Sequence, residues 1–409
     1  MQRQQELAMI ERIMAHRAAG NTTDMAPDMY VNPINTYVDP QRYTLEVDRI
    51  FRAVPLLACV SADVPRPSDY VTLSITDVPV VVVRGLDGVV RAFRNVCRHR
   101  GTCVAEGRGN TGSSLMCRFH GWSYRLDGRL INPTHRAGFE GLDRSERGLS
   151  ELACDEAGGL VFVQLSGEPG SLDASAWLSG LAPELHSHGY AEYAVIDHHQ
   201  STWEVNWKLM FDTFCETYHV RHLHHASIAP HVFSEPGLND AFGPHGRQVA
   251  VHSSFTQLDE LPRQEWTLLP HITLAYLLAP NAIVINQQDH LEVFQLLPLG
   301  PDRTVSVASI YAPEAPKTDR ARARWAKAFE LLLNVIGTED YVMSEQTQRS
   351  FRSGAQREII FGRNEPALIH FHRSIEQILE KEPIEPGVAV TLPSGIRSPT
   401  TSSVPSSMV

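Results

Sequence analysis

The spacing of apolar and polar positions changes character along the chain, and each change predicts a different kind of structure. Leu7, Ile10 and Met14 fall at helical intervals, so residues 5–18 read as one helix with an apolar face. Residues 20–44, rich in Asn, Thr, Pro and Asp, read as a loop or arm. From Val54 to Leu165 the chain turns to short β-rich runs at 70–75, 79–84, 89–93, 122–126 and 160–165. Asp87-Gly88 and Asp127-Gly128 sit between such runs as hairpin turns, which predicts a small antiparallel β domain. A polar connection at 166–190 follows. Strand-like runs then recur near 193–200 and at 248–258, 271–279, 282–297 and 303–311, with an apolar-periodic stretch from Trp207 among them. Thr318 or Asp319 can cap a helix that carries Trp325, Phe329, Leu332 and Ile336 on one face. A second helix is expected at 338–352 and a third from Pro366 to about Glu380. These patterns divide the chain into a helix and arm (1–44), a β-rich domain (45–165), an α+β domain (166–385) and a Ser/Thr/Pro-rich tail (386–409) expected to be mobile.

Composition narrows the function classes. The 409 residues are 43% hydrophobic and 20% charged, an ordinary globular profile with room for two or three domains. A formal net charge of −11 argues against a nucleic-acid binder, and no polybasic segment suits a membrane surface. The first twenty residues are charged throughout and lack the apolar core of a secretory signal. The longest apolar run, at 78–83, is far short of the roughly 20 residues that span a bilayer. The expectation is a cytoplasmic protein. Six cysteines in a chain this long are not a disulfide framework. Cys59, Cys103, Cys154 and Cys215 belong to no motif and read as small buried hydrophobes.

The other two cysteines carry chemistry. Cys97-Arg98-His99 is followed, after seventeen residues, by Cys117-Arg118-Phe119-His120. A structural zinc site groups its ligands as Cys-x2-Cys and His-x3–5-His, whereas here each loop offers one thiolate and one imidazole. Two such loops can hold a [2Fe–2S] cluster with both Cys on one iron and both His on the other. The pattern resembles the Rieske domain of the ring-hydroxylating oxygenase family, with Gly101 and Gly121 suited to tight loops beside the cluster. Phe119 occupies a place where cytochrome-complex Rieske proteins have a cysteine, so Cys103 has no disulfide partner there. Trp122 reads as core packing more than as an electron wire.

A second loaded stretch, Asn206 to His225, holds Glu216, His219, His222, His224 and His225. If 207–221 is helical, Asp212, Glu216 and His219 share a face. His224 then requires a bend near Arg221 to meet the same ion. A mononuclear ferrous site needs two His and one carboxylate on one side of the metal, and the carboxylate must come from elsewhere. Glu216-x-x-His219 is also the unit of di-iron bundles, but the chain has no second copy.

The resemblance extends to this stretch. Asn206-Trp207-Lys208, Asp212, Glu216, His219 and His224 match the family's catalytic motif, and Glu339-Asp340-Tyr341 resembles the segment that supplies its third iron ligand. The resemblance spans about residues 40–380. It implies the catalytic α component of a Rieske non-haem iron oxygenase, with a helix-grip-like catalytic domain built on a curved antiparallel sheet flanked by helices. Cys97, His99, Cys117 and His120 are then the cluster ligands, and His219, His224 and Asp340 (ahead of Glu339) the Fe(II) ligands. Glu216 becomes a bridge between a metal-binding histidine and a cluster histidine of the neighbouring subunit. It also implies a homotrimer with or without a small β subunit, and an NAD(P)H-dependent reductase with or without a ferredoxin. Glu216 where many members have Asp, Thr213 where Asn is frequent, and Asp212 where Glu is commoner weaken a reading of ring dihydroxylation. Family frequency still puts hydroxylation or cis-dihydroxylation of an aromatic compound first. N- or O-demethylation, or oxidation of a quaternary amine, is the alternative. Met210, Phe211, Phe214, His231, Phe233 and the 282–297 strands are pocket candidates, although residues of these types are more often plain core. A lone electron carrier or a zinc-stabilised binding protein would leave the second site without a purpose.

Overall fold

A computed structural model describes residues 1–380 except His231 and the side chains of Phe233 and Ser234. The expected tail and the pocket candidates His231 and Phe233 therefore lie outside what is described. Two seven-stranded antiparallel sheets form the frame. In the first, Leu56–Val60 and Leu160–Gln164 lie at one side, then Glu151–Ala157, Val90–Arg94, Val78–Arg84, Asp69–Ile75 and Arg108–Asn110. A small three-stranded sheet of Leu115–Met116, Ser123–Tyr124 and Leu130–Asn132 stands beside it. Phe93, Cys97, Cys117, Trp122, Tyr124 and Leu130 build a core of their own there. The expected Asp127-Gly128 turn is present with Gly128 at φ +85°. A Cβ at Gly128 would stand 2.6 Å from the Phe93 ring, so this turn needs glycine for both conformation and space.

The second sheet runs in the order Ala194–Trp203, Arg303–Ala312, Leu291–Gly300, Ala282–Asn286, Ile272–Leu278, His245–His252, Val232–Phe242. Alternation gives each strand two distinct faces. One face meets helices: Phe214 packs on Phe294 at 4.8 Å, and Ser306 Oγ is 3.0 Å from Tyr341 OH. The other meets the first sheet. Gln295 donates from Nε2 to Leu57 O (2.9 Å) and Ala58 O (3.0 Å), and Asn281 hydrogen-bonds Leu57 in both directions. The second sheet thus stands between the cluster lobe and the helices Asp319–Asn334 and Tyr341–Phe351.

Three expectations are corrected. The 20–44 arm contains a strand, Tyr30–Pro33, and the short helix Asn35–Val38. Its strand pairs with Glu358–Phe361, a partner more than 320 residues away that local composition cannot reveal. The 248–258 run is strand only to His252, then a 3-10 segment Ser253–Glu260. The 207–221 helix stops after Trp207–Asp212, and a separate turn, Val220–Leu223, follows.

Asn206-Trp207-Lys208 explains how that short helix is fixed. Asn206 caps it, accepting from Lys208 N at 3.0 Å and donating to Pro301 O at 2.7 Å. Lys208 Nζ donates to both carboxylate oxygens of Glu46 at 2.7 Å, and Trp207 Nε1 donates to the same group at 2.9 Å. Both charged residues are wholly buried, and burial lowers the Lys208 pKa despite Glu46. Arg42 Nε adds a further bond to Glu46 Oε1 at 2.9 Å, so loss of Lys208 leaves this carboxylate one cation short but not unpaired. Lys208→Met is therefore expected to destabilise the fold by about 1–3 kcal/mol in chemical denaturation, with part recovered in Lys208→Met/Glu46→Leu. An unchanged midpoint for the single variant would contradict this.

Candidate metal centres

The early end of the Trp207–Asp212 helix supplies the bend that the spacing demanded, at 213–219 instead of near Arg221. Glu216 organises the turn: Oε2 accepts from the His219 backbone N at 3.0 Å, and Oε1 from His219 Nδ1 at 2.5 Å. His224 is held in the same way from a distant element, its Nδ1 donating to Glu339 Oε2 at 2.5 Å, and Ser227 Oγ donates to that oxygen at 2.8 Å. A ring that donates from Nδ1 presents a bare lone pair at Nε2. The two Nε2 atoms face each other at 3.2 Å. Asp340 Oδ1 lies 3.1 Å from the His224 Nε2 and 3.5 Å from that of His219. His222 and His225, the rival histidines, are exposed and do not belong to the converging group.

Asp340 ends a π-helical segment, Val335–Asp340, wedged between the helices Asp319–Asn334 and Tyr341–Phe351. Such a bulge turns one side chain out of helical register. Its Oδ1 is buried and accepts no hydrogen bond, an arrangement that is costly for a carboxylate without a cation. Burial opposes charge on His219 and His224. The carboxylates of Glu216, Asp340 and Glu339 outweigh it, so both pKa values sit above the ordinary one. Two bare imidazole nitrogens and an unpartnered carboxylate oxygen, converging within 4.8 Å, fit a divalent ion with open positions.

The other four candidates lie on two loops of like geometry. In one, Gly101 N donates to Cys97 O (2.9 Å) and Cys97 N to Thr102 O (2.8 Å). In the other, Gly121 N donates to Cys117 O and Cys117 N to Trp122 O, both at 2.9 Å. Gly101 and Gly121 close the loops at φ +83° and +70°. The cysteines are buried, while the half-exposed His99 and His120 face each other through Nδ1 at 3.2 Å. Buried sulfurs and outward imidazoles fit a cluster with one inner and one outer iron. Trp122 is core, as expected, and its ring also stacks on His99 at 4.9 Å.

Sequence reasoning weighed Glu339 only as a rival ligand, and the structure makes it the group that orients His224. It missed Ser227 and Tyr124, whose OH is 3.3 Å from Cys97 Sγ and accepts from Arg98 N at 2.9 Å. Among the pocket candidates, Met210 and Phe211 are core, Phe211 stacking on Phe371 at 4.1 Å. Cys59 and Cys215 are buried as expected, but Cys103 is exposed and is no core residue.

Residues 54–143 match the family model of the Rieske [2Fe–2S] domain, and residues 184–381 that of the ring hydroxylating alpha subunit (catalytic domain). The chain belongs to the Rieske non-haem iron oxygenases. These are oxidoreductases that incorporate oxygen, carry a [2Fe–2S] cluster and a mononuclear iron, work with reductase or ferredoxin partners, and oligomerise. The chain is 27% identical to the glycine betaine monooxygenase oxygenase subunit of Chromohalobacter salexigens, covering 78% of this chain and 79% of that protein. It is 28% identical to the chloroplastic choline monooxygenase of Amaranthus tricolor, covering 87% and 79%. The fold is that of the quaternary ammonium Rieske monooxygenase CntA, with a TM-score of 0.76 at 22% identity over 87% of this chain and 97% of that one. No helix among the described residues is long and apolar enough to cross a membrane.

Glu339→Gln keeps the shape but weakens the grip on the His224 ring. The variant is expected to bind Fe(II) about 10- to 100-fold more weakly in anaerobic titration, with an unchanged cluster spectrum. Equal affinity would show that Glu339 does not orient the ring.

Proposed function

We propose that this chain is the oxygenase component of a Rieske monooxygenase that acts on a quaternary ammonium compound. In this reading His219, His224 and Asp340 hold the ferrous ion, and Cys97, His99, Cys117 and His120 hold the cluster. The observation that carries the iron site is the meeting of two oriented Nε2 lone pairs with an Asp340 oxygen that has no other partner, and the substrate class rests on the named relatives. When bound, the cluster supplies single electrons and the ferrous ion activates dioxygen. The chain's own work is positional: Glu216 and Glu339 fix the tautomers, and the sheet and the Asp319–Phe351 helical run hold the triad. Phe214 and Phe294 set an apolar wall between sheet and helix.

The aromatic substrate put first by family frequency gives way to the alternative. The relatives reported above are named for glycine betaine and choline, and Glu216 and Thr213 already departed from the ring-dioxygenase pattern. Glu216 touches His219 while its side chain stays partly exposed, so it can also meet a cluster histidine of a neighbouring subunit. This favours a trimer in which electrons cross between chains. A separate reductase is its electron source, and the cytoplasm its place.

The test is oxygen and NADH consumption by the holoenzyme with a Rieske reductase, over choline, glycine betaine, carnitine and simple aromatic acids. Quaternary ammonium substrates are expected to gain one oxygen or lose one methylene. A product carrying two added oxygens and two added hydrogens on an aromatic ring would overturn the reading. Asp340→Ala is expected to abolish turnover while the red-brown cluster colour persists, and retained turnover would remove Asp340 from the iron site. Tyr124→Phe is expected to lower the cluster potential by roughly 50 mV, the equivalent of one hydrogen bond to sulfur, in a potentiometric titration.

A further inference from the structure

Charge is distributed unevenly along this acidic chain. Residues 91–147 hold eleven arginines, no lysine and five carboxylates, a surplus of +6 in a protein of net charge −11. The three arginines after Leu130 are matched by Glu140, Asp143 and Glu146, so the surplus belongs to the stretch that carries both Cys/His loops. Part of it is neutralised in place, where Arg91, Arg108 and Arg129 pair with Asp87, Asp63 and Asp127. Among the described residues Arg98 and Arg100, on either side of His99, pair with no carboxylate: Arg98 donates to Ser150 Oγ at 3.0 Å, and Arg100 lies over the Phe119 ring at 5.4 Å. Arg118 reaches only Glu106, at 3.7 Å, and both of those side chains are exposed.

These arginines surround an apolar landing place. Phe119 is 56% exposed and its ring centroid lies 3.8 Å from that of His120, so a partner that covers Phe119 stands one ring away from a proposed cluster ligand. Beside it a hollow of about 370 Å³ is lined by the 102–106 loop, Arg118 and Phe119. Cys103, Ala105 and Glu106 also line a second hollow, of about 340 Å³, which leads to Arg108 and His198 at the seam with the second sheet. His99, by contrast, is backed by the chain's own Trp122 and Phe139, with ring centroids at 4.9 and 5.6 Å. A concave, arginine-rimmed surface with an exposed aromatic ring suits a transient contact steered by charge. A permanent subunit interface is larger and more apolar.

Resting on the cluster assignment proposed above, we infer that this face is the docking site for the protein that brings electrons to the cluster, and that this partner is an acidic one-electron carrier. Arg100 and Arg118 attract its carboxylates, and Phe119 packs against it beside His120. The sign of the charge specifies the carrier's surface, which the family's use of reductase or ferredoxin partners leaves open.

The experiment uses the cluster-loaded full chain, with a plant-type [2Fe–2S] ferredoxin as the acidic carrier. Calorimetric titration is expected to show binding at about 20 mM ionic strength that weakens 10-fold or more by about 300 mM. Arg100→Gln/Arg118→Gln should weaken it 10-fold or more at low salt, while the visible spectrum of the cluster and the oligomer mass stay unchanged. Arg320→Gln, which removes an exposed charge on the Asp319–Asn334 helix, should bind like the unaltered chain. A second measurement needs no protein partner. Oxidation of the dithionite-reduced cluster by the anion hexacyanoferrate(III) should slow in the double variant, and oxidation by the cation hexaamminecobalt(III) should quicken, each reagent taking one electron. Absence of salt-sensitive ferredoxin binding, an equal loss in Arg320→Gln, or reagent rates that ignore the two arginines would overturn this inference while leaving both iron centres intact. A changed oligomer mass in the double variant would make this face a contact between copies of the chain and overturn it as well. Loaded protein with no dithionite-reducible cluster removes the cluster assignment and this inference together.

Discussion

Two carboxylate–imidazole contacts govern the catalytic half. Glu216 and Glu339 each take the Nδ1 proton of one histidine at 2.5 Å, and so decide that both Nε2 lone pairs look inward at Asp340. Without them the two rings would be free to flip, and a buried carboxylate oxygen with no donor would have nothing to balance it. The elements around the site can be read as means of keeping these four side chains in place. The helix stop at Asp212 lets Glu216 turn back onto His219. The π-helical segment rotates Asp340 inward while the adjacent Glu339 reaches His224.

Buried charge is placed with the same economy elsewhere. Glu46 and Lys208 pin the helix that precedes the site. Asp212 at its other end accepts from Tyr37 OH at 2.7 Å and His372 Nε2 at 2.9 Å, tying it to the N-terminal arm and the Pro366–Glu380 helix. These contacts join segments from both ends of the chain around one short helix. They explain why the arm folds against the catalytic half although its composition looks like that of a loop.

Much of this was legible in the residues. Mixed Cys/His pairs on β-rich loops announce their chemistry because thiolate and imidazole occur together at that spacing for few purposes. The amphipathic Asp319–Asn334 helix and the strands before it, Ile272–Leu278, Ala282–Asn286, Leu291–Gly300 and Arg303–Ala312, follow from periodicity. What was not legible depends on distance or on backbone irregularity. The pairing of Tyr30–Pro33 with Glu358–Phe361, the place of the break after Asp212, and the π segment at Asp340 leave no mark in local propensity. Glu339 was visible as a carboxylate beside Asp340, but only the bulge decides which of the two meets the histidine lone pairs and which the Nδ1 proton. The proposed substrate class has only a faint mark in the residues, at Glu216 and Thr213, and family frequency outweighs it.

The central claim is that one chain assembles two distinct iron centres, one with sulfide and one without. Iron and acid-labile sulfide analysis of anaerobically purified, fully loaded protein tests it most directly. The account predicts more iron than sulfide, in a ratio of three to two, from a [2Fe–2S] cluster plus a lone ferrous ion. Equal iron and sulfide in loaded protein, or no sulfide at all, would contradict it.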